Sequence, residues 1–268
     1  MDQSQSLKVA FITPEMAPLA KTGGLADVTG ALPKYLSQIG QLEVVVWLPF
    51  YREVKKRNLN LKQLASNVKL ELLPDGVQNR FSLFEYQAEK FKVYLVENDS
   101  YFDRDYLYGT PGGDYPDNGQ RFALFCLAAL AGLKLNNWAP DIIHAHDWQA
   151  ALTLAYLKHV LASDSFYQKT RSLFTIHNLA YQGLFPPEIL RQIGLPLNLF
   201  NPEDMEFYGQ VNYLKAGLLY SDAISTVSPT YSQEIQTPEF GFGLDGVLRK
   251  RRDRLFGILN GIDYEEWN

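Results

Sequence analysis

The sequence predicts an α/β protein with a Rossmann-like, mostly parallel sheet, helices on both faces and an inserted β-hairpin region. Apolar runs rich in β-branched residues recur and alternate with helical patterns, which is typical of parallel strands buried between helices. The middle of the chain changes to the two-residue alternation of antiparallel strands. The 268 residues, 46% of them hydrophobic, suit one large α/β domain or two small ones.

The N-terminal part of the chain predicts one βαβ unit. Residues 7–12 form an apolar run typical of a buried strand, and residues 42–48, with three consecutive valines, form a second one. Between them a helical pattern reaches Leu36, and Leu25, Val28 and Leu32 share its apolar face. The crossover of such a unit is right-handed.

The next segment predicts antiparallel structure inserted after the second or third parallel strand. A charged, Lys- and Asn-rich piece that follows residues 50–53 is interpreted as a solvated connector. Three short β-forming runs come after it, at residues 68–73, 81–86 and 93–96. Pro74-Asp75-Gly76 and Glu89-Lys90 separate these runs, as expected for turns between antiparallel strands.

The rest of the chain predicts alternating helices and strands. The predicted helices cover residues 120–133, 148–160, 186–193 and 205–219, with a further helix from Ser228-Pro229 and a basic one after a Gly-rich loop at 241–246. The predicted strands cover residues 141–144, 171–176, 222–227 and 255–259. The helix at 120–133 is apolar nearly all round, which predicts deep packing, and Asp117 or Asn118 can cap it. Residues 101–118 form a long Gly-, Pro- and Tyr-rich loop, a type that is often functional or mobile.

Composition and charge argue against several classes of protein. The net charge of −5 argues against a general nucleic-acid surface, and no stretch is long and apolar enough to cross a membrane. A single cysteine, Cys126, excludes an intrachain disulfide and a cysteine metal cluster, and fits a reducing compartment. The short polar start of the chain is not expected to be a signal peptide.

The junction between the first strand and the first helix carries the strongest chemical pattern, at residues 21–28. Gly23 and Gly24 remove side chains where a ligand can approach the backbone, next to the positive end of the helix dipole. Lys21 adds a cation and Asp27 a hydrogen-bond acceptor. This set suits a ligand with anionic and polyol parts, such as a nucleotide sugar, while the alternative is a Gly-rich turn with a surface lysine. It is neither a Rossmann G-x-G-x-x-G nor a Walker A motif.

Polar residues also follow two later strands. His144, His146 and Asp147 come at one strand end, where they suit part of a metal site, hydrogen bonds that Asp147 accepts from sugar hydroxyls, or a helix N-cap. His177 and Asn178 follow another strand, where they suit hydrogen bonds to a sugar or a turn closed by the Asn side chain. A third polar motif, Asp103-Arg104-Asp105, has the Asp-x-Asp spacing of some metal-dependent glycosyltransferases, but it lies in a loop.

Four blocks in order and spacing resemble bacterial glycogen synthases and plant starch synthases, which are retaining glucosyltransferases that use ADP-glucose. They are residues 21–28 (Lys-Thr-Gly-Gly-Leu-Ala-Asp-Val), 144–148 (His-Ala-His-Asp-Trp), 175–183 (Thr-Ile-His-Asn-Leu-Ala-Tyr-Gln-Gly) and 259–263 (Leu-Asn-Gly-Ile-Asp). The resemblance implies the N-terminal, acceptor-side half of a GT-B glycosyltransferase over residues 1–268. It also implies a hinge near 259–268 and a nucleotide-binding C-terminal domain that is absent here.

The resemblance also implies residue roles. His177, whose backbone carbonyl faces the reacting carbon, and Asp147 are the expected catalytic residues. The expected substrate-binding residues are Lys21, Gly23, Gly24, Asp27 and Asn178. No metal and no cofactor are expected, because cations and helix N-termini can stabilise the leaving phosphate.

The expected function is transfer of glucose from ADP-glucose to the non-reducing end of an α-1,4-glucan or maltooligosaccharide. The chain is expected to be inactive without its C-terminal domain, and to lie in the cytoplasm, or in the plastid stroma of a plant or alga. One alternative is a non-catalytic glucan-binding or regulatory module. Another, a nicotinamide-dependent oxidoreductase, is disfavoured because its G-x-G-x-x-G motif is absent.

Overall fold

The computed structural model describes residues 6–74 and 78–261, and its centre is a nine-stranded sheet. The strands of this sheet are β1 (Leu7–Ile12), β2 (Leu42–Pro49), β3 (Leu61–Lys69), β4 (Arg80–Gln87), β5 (Lys92–Glu97), β8 (Ile142–His146), β9 (Arg171–Ile176), β13 (Ala223–Thr226) and β14 (Leu255–Gly257). The short strands β6 (Gly109–Thr110) and β7 (Gly113–Asp114) pair with each other, and β10 (Leu184–Phe185), β11 (Glu206–Phe207) and β12 (Gln210–Asn212) form a small third sheet.

The helices connect and cover these strands. They are α1 (Gly24–Leu36), α2 (Arg52–Lys55), α3 (Asp99–Phe102), α4 (Asn118–Leu135), α5 (Asp147–His159), α6 (Ile189–Gln192), α7 (Tyr213–Tyr220), α8 (Pro229–Glu234) and α9 (Asp245–Lys250). Short 3₁₀ turns cover Leu197–Leu199 and Arg252–Arg254. In the described part of the chain, no helix has the length and apolar character needed to cross a membrane.

The strand order of the main sheet is β14-β13-β9-β8-β1-β2-β5-β4-β3. Every neighbouring pair from β14 to β5 is parallel, so the predicted Rossmann-like, mostly parallel sheet is confirmed. The chain leaves β1 in one direction to β2 and later returns to β8 on the other side. With right-handed crossovers, this reversal puts α1 and α5 on opposite faces and opens a crevice beyond the carboxyl ends of β1 and β8.

The inserted antiparallel region is also confirmed. After β2 the chain forms β3 and β4, and β4 pairs antiparallel with both β3 and β5. The first run of this region was misplaced, because β3 covers Leu61–Lys69 and not residues 68–73. Strand β3 lies at the sheet edge with many polar, solvent-facing residues, so it has the weak apolar signal of an edge strand. The proposed turn at Pro74-Asp75-Gly76 falls partly outside the described residues.

The largest error concerns the predicted helix at residues 205–219. Residues 205–212 instead contain the β11–β12 hairpin, and α7 begins only at Tyr213. Tyr208 and Gly209 have φ values of 49° and 81°, which form a tight turn that an α-helix excludes. The Asn212 side chain then accepts the N–H of Lys215 and starts α7.

Smaller corrections concern element ends. Helix α2 begins within residues 50–53 and extends to Lys55, into the supposed connector. The predicted helix at 186–193 is reduced to α6, and the loop 101–118 contains the end of α3 and the β6–β7 pair. Asp117 occupies the N-cap position of α4, but its carboxylate accepts Arg104 instead of a helix N–H. Ser228 caps α8 as expected, with Pro229 in the first turn.

Candidate active site

A cavity of about 650 Å³ lies at the carboxyl edge of the parallel sheet. It is lined by residues that follow five parallel strands, β1, β8, β9, β13 and β14, together with parts of the loop 101–118. The lining residues are Glu15, Thr22, Gly23, Gly24, Leu25, Tyr108, Asp114, Asp147, Trp148, Gln149, His177, Asn178, Tyr181, Val227 and Asn260. The cavity therefore occupies the position where open α/β sheets bind their ligands.

A buried carboxylate, Glu15, organises the glycine corner after β1. Its Oε2 accepts the backbone N–H of Thr22 at 2.6 Å and that of Gly23 at 3.2 Å. Its Oε1 accepts the hydroxyls of Thr22 and Tyr108, both at 2.6 Å. These donors compensate the burial of the carboxylate, which is only 4% exposed, and they fix the corner to the loop 101–118.

The two glycines of the corner leave open space at the cavity. A Cβ atom added to Gly23 or Gly24 would meet no described atom within 4 Å, so protein packing does not require glycine at either position. The structure therefore places both where the sequence pattern predicts a close ligand approach. The N–H of Gly23 already binds Glu15, and Gly24 begins α1, whose positive dipole end faces this corner.

Lys21 and Asp27 pair with each other. The Nζ of Lys21 lies 2.5 Å from Oδ1 of Asp27, and both side chains are partly exposed. Neither residue is among the described residues that line the 650 Å³ cavity. Asp27 lines a neighbouring cavity of about 370 Å³ between α1 and the β4–β5 hairpin. The pair lies at the first turn of α1, so it borders the predicted site without forming its wall.

Asp147 is the first residue of α5, directly after β8. Its φ of 54° is left-handed, a conformation that costs a residue other than glycine ~1–2 kcal/mol and that is often found at functional sites. Oδ1 accepts the backbone N–H of His177 at 2.7 Å, and the N-cap position belongs to His146, so the N-cap interpretation of Asp147 is wrong. Burial raises the pKa of the carboxyl to about 7, against the opposing effect of the N–H groups of His177 and Asn178. Near neutral pH the group can both accept and donate a hydrogen bond.

His177 brings a neutral imidazole to the cavity. Burial lowers the pKa of this ring to about 4, so it carries no charge at pH 7. Its Nε2 lies 3.0 Å from Nδ1 of His146. The neighbouring Asn178 is exposed at the cavity, and its Oδ1 accepts the N–H of Ala180 at 3.0 Å, so the turn interpretation of this side chain is confirmed.

The two histidines of β8 share one side of the strand, as their alternation suggested. Their ring centroids are 4.1 Å apart, and His144 Nε2 lies 2.6 Å from the Thr175 hydroxyl. Within residues 6–74 and 78–261, no three His, Cys, Asp or Glu side chains are arranged to hold a metal ion. Both carboxylates of the Asp103-Arg104-Asp105 motif bind Arg52 at 2.6 Å.

A buried arginine shapes the loop that carries Tyr108. Arg121 of α4 is fully buried, donates from Nε to the carbonyl of Tyr101 at 2.8 Å and from Nη2 to that of Leu107 at 3.0 Å, and also binds the Asn118 side chain. Burial lowers its pKa, and the loop carbonyls compensate part of the desolvation. The loop 101–118 is therefore anchored to α4 where it reaches the cavity.

The sequence analysis missed several lining residues, including Glu15, Tyr108, Gln149 and Tyr181. Glu15 follows β1 closely, and its position beyond the carboxyl end of a strand was the available signal. Tyr108 carried no local signal, because its bond to Glu15 joins residues 93 positions apart. Glycine is required at position 183 by the structure: φ is 64°, and a Cβ atom there would lie 2.4 Å from the Trp148 ring.

Comparison with known sequences identifies similar proteins. The sequence model described as the starch synthase catalytic domain matches residues 8–250. The chain is 50% identical to glycogen synthase 2 of Geobacter metallireducens and 49% identical to the glycogen synthase of Geotalea daltonii, each over 262 residues. Each match covers 98% of this chain and 54% of the relative, so the chain spans about half the length of the curated relatives it matches.

Comparison with solved structures also identifies a starch synthase. The catalytic domain of starch synthase IV from Arabidopsis thaliana, bound to ADP and acarbose, matches with a TM-score of 0.86 and 34% identity. The match covers 98% of this chain and 53% of that chain.

Proposed function

The chain belongs to the family of starch synthase catalytic domains, and we propose that it forms the acceptor-side half of a retaining glucosyltransferase. The proposed reaction transfers glucose from ADP-glucose to the non-reducing end of an α-1,4-glucan or maltooligosaccharide. The names of the glycogen synthase relatives and the ADP bound to the similar starch synthase support this assignment.

The observation that carries the proposal is the convergence of Gly23, Gly24, Asp147 and His177 on one cavity. They come from three strand ends that lie far apart in the sequence, yet they line the same 650 Å³ space. A cavity of this size is in the range that small-molecule sites occupy.

The proposed roles follow from the charges in the transition state. Transfer from ADP-glucose gives the sugar oxocarbenium character while negative charge grows on the leaving phosphate. A neutral imidazole at His177 can bind a sugar hydroxyl without placing a positive charge beside the cationic sugar, and its carbonyl is proposed to face the reacting carbon. Asp147 is proposed to bind the sugar and to hold the His177 backbone through the 2.7 Å bond.

The corner at the start of α1 is proposed to face the diphosphate. Its open glycine surface and the helix dipole favour negative charge. Lys21 and Asp27 are proposed to bind substrate at the rim, which requires their 2.5 Å ion pair to open or to share the ligand. Asn178 is proposed to contact the sugar through its exposed amide.

The proposed domain assignment covers residues 1–268, with a hinge near 259–268, of which residues 262–268 lie outside the described part. A second domain would supply the remaining donor contacts, so the chain alone is expected to be inactive. The proposed location is the cytoplasm, or the plastid stroma if the source is a plant or alga.

A fusion of this chain to the C-terminal half of the Geobacter metallireducens relative tests the proposal. We expect the fusion, but not the chain alone, to incorporate labelled glucose from ADP-glucose into glycogen. His177→Ala in the fusion should lower the rate by about two orders of magnitude, a loss typical of removing one transition-state contact. His159→Ala is the matched control, because His159 lies at the end of α5 and is not one of the cavity-lining residues of the described chain.

Two results would contradict the proposal. One is a folded fusion that binds glucan but transfers no glucose while the parent relative is active, which would favour the non-catalytic module. The other is an equal loss of activity in the His177 and His159 variants, since this would place the chemistry outside the cavity.

A further inference from the structure

We propose that His146 is a positioning residue that fixes the proton of His177 on Nδ1, and thereby makes this ring nitrogen a hydrogen-bond donor to the substrate. Naming the substrate as a glucosyl donor rests on the proposed function. The proton position does not, because it follows from contacts within the chain.

The geometry joins the two rings at defined atoms. Nδ1 of His146 lies 3.0 Å from Nε2 of His177, and His177 lines the cavity. The His146 ring is fully buried and stacks on Phe11, with centroids 5.4 Å apart and an interplanar angle of 15°. The His144 ring, 4.1 Å away, packs against it as well. These contacts hold the ring of His146 in place, so the bond to His177 has one fixed partner.

Each of the two rings carries a single proton at neutral pH. Burial lowers the pKa of His177 to about 4 and holds that of His146 well below its ordinary value, with His144 and His177 adding to the effect on His146. A hydrogen bond between two neutral imidazoles needs one donor and one acceptor. Only two arrangements of the protons are therefore possible.

The surroundings of Nε2 of His146 distinguish the two proton arrangements. Nε2 of His146 is buried without a hydrogen-bond partner among the residues that the structure describes. If His177 were the donor, the proton of His146 would lie on this nitrogen and form a buried, unpaired N–H group, which proteins rarely tolerate. If His146 donates from Nδ1, only a nitrogen lone pair remains unpaired. The second arrangement is therefore favoured, and it leaves the proton of His177 on Nδ1.

The position of the proton determines how His177 can bind a ligand in the cavity. Its Nε2 is used by His146, so Nδ1 is the ring nitrogen that remains for a ligand. With the proton on Nδ1, this atom donates to a hydroxyl oxygen; with the proton on Nε2, it would only accept. His146, which does not contact the substrate, thus determines whether Nδ1 of His177 donates or accepts a hydrogen bond.

Nitrogen NMR of the ¹⁵N-labelled chain tests the proton position without substrate. The chain has four histidines, so single variants can assign every ring signal. We expect the form of His177 protonated on Nδ1 to exceed the other by about tenfold or more, which corresponds to ~1.4 kcal/mol. His146→Leu removes the donor and should abolish this excess, whereas His146→Asn offers an amide N–H in its place and should preserve most of it.

A change in the proton position of His177 can be distinguished from a loss of folding and from a loss of transfer activity. His159 lies outside the cluster, so its unchanged signals would report an intact fold in each variant. A wild-type His177 protonated on Nε2, or an unchanged ratio in a folded His146→Leu variant, would overturn the proposal. In the fusion enzyme, His146→Asn should retain more transfer activity than His146→Leu. If the proton position is confirmed but the fusion transfers no glucose, the proposed function fails and the positioning role of His146 stands.

Discussion

Replacing Asp147 by asparagine should stabilise the protein at pH 8 more than at pH 5. The Asp147 carboxyl has a folded pKa of about 7, raised by burial. An unfolded aspartate has a pKa of ~3.9, so ionising the buried group costs the folded state about 4 kcal/mol once both states are ionised. Asparagine carries no charge, keeps an oxygen for the N–H of His177, and tolerates the φ of 54° better than most residues.

The sign follows from proton binding. The folded state holds the Asp147 proton up to about pH 7, whereas the unfolded state loses it near pH 4. The folded state therefore binds more protons between these values, and stability falls as pH rises through that window. The cost in the wild type is about 1.5 kcal/mol at pH 5 and about 4 kcal/mol at pH 8. The stability gain of Asp147→Asn should thus be about 2.5 kcal/mol larger at pH 8.

Urea unfolding of both proteins at pH 5 and pH 8 measures this difference. Comparing the two pH values removes every effect of the substitution that does not depend on pH. Asp253→Asn, at an exposed side chain, is the control and should change stability by less than about 0.5 kcal/mol at either pH. An equal gain at both pH values, or a larger gain at pH 5, would show that folding does not raise the pKa of the Asp147 carboxyl.

Two further pairs of substitutions test how the cavity is held together. Gly183→Ala should destabilise the fold by about 2–4 kcal/mol, because it adds a clash with Trp148 to the cost of a positive φ. Gly209→Ala, at a positive φ but with open space around it, should cost only about 1–2 kcal/mol. Equal losses of stability in thermal unfolding would contradict the clash with Trp148. Glu15→Ala removes the acceptor of four donors, two of them backbone N–H groups, so it should cost about 3–5 kcal/mol. Tyr108→Phe removes a single donor and should cost about 1–1.5 kcal/mol, and the reverse order in urea unfolding would contradict the organising role of this carboxylate.

The sequence was sufficient where local patterns determine structure. Apolar runs and turn residues predicted the parallel strands and the inserted hairpin, since burial between helices requires such runs. Lys21, Asp27, Asp147 and His177 were assigned to one site, and all four follow strand ends, which share one edge of a parallel sheet. Asp147 and His177 do line one cavity, whereas Lys21 and Asp27 pair with each other beside it.

The sequence was insufficient where distant contacts decide the outcome. The apolar pattern after Met205 favoured a helix, but the left-handed turn at Tyr208 and Gly209 and the pairing of β12 with β10 prevailed. The link from Tyr108 to Glu15 depends on a loop folding back over a strand end, which no local pattern encodes.

The decisive measurement is backbone amide NMR of this chain titrated with ADP-glucose, because the cavity at the carboxyl edge of the sheet is proposed to bind the activated sugar and its diphosphate. We predict that the largest shift changes occur at Gly23, Gly24, Asp147 and His177, with little change in the β3–β4 hairpin. Changes confined to that hairpin, or saturable binding that leaves these four amides unaffected, would show that the ligand binds outside the cavity.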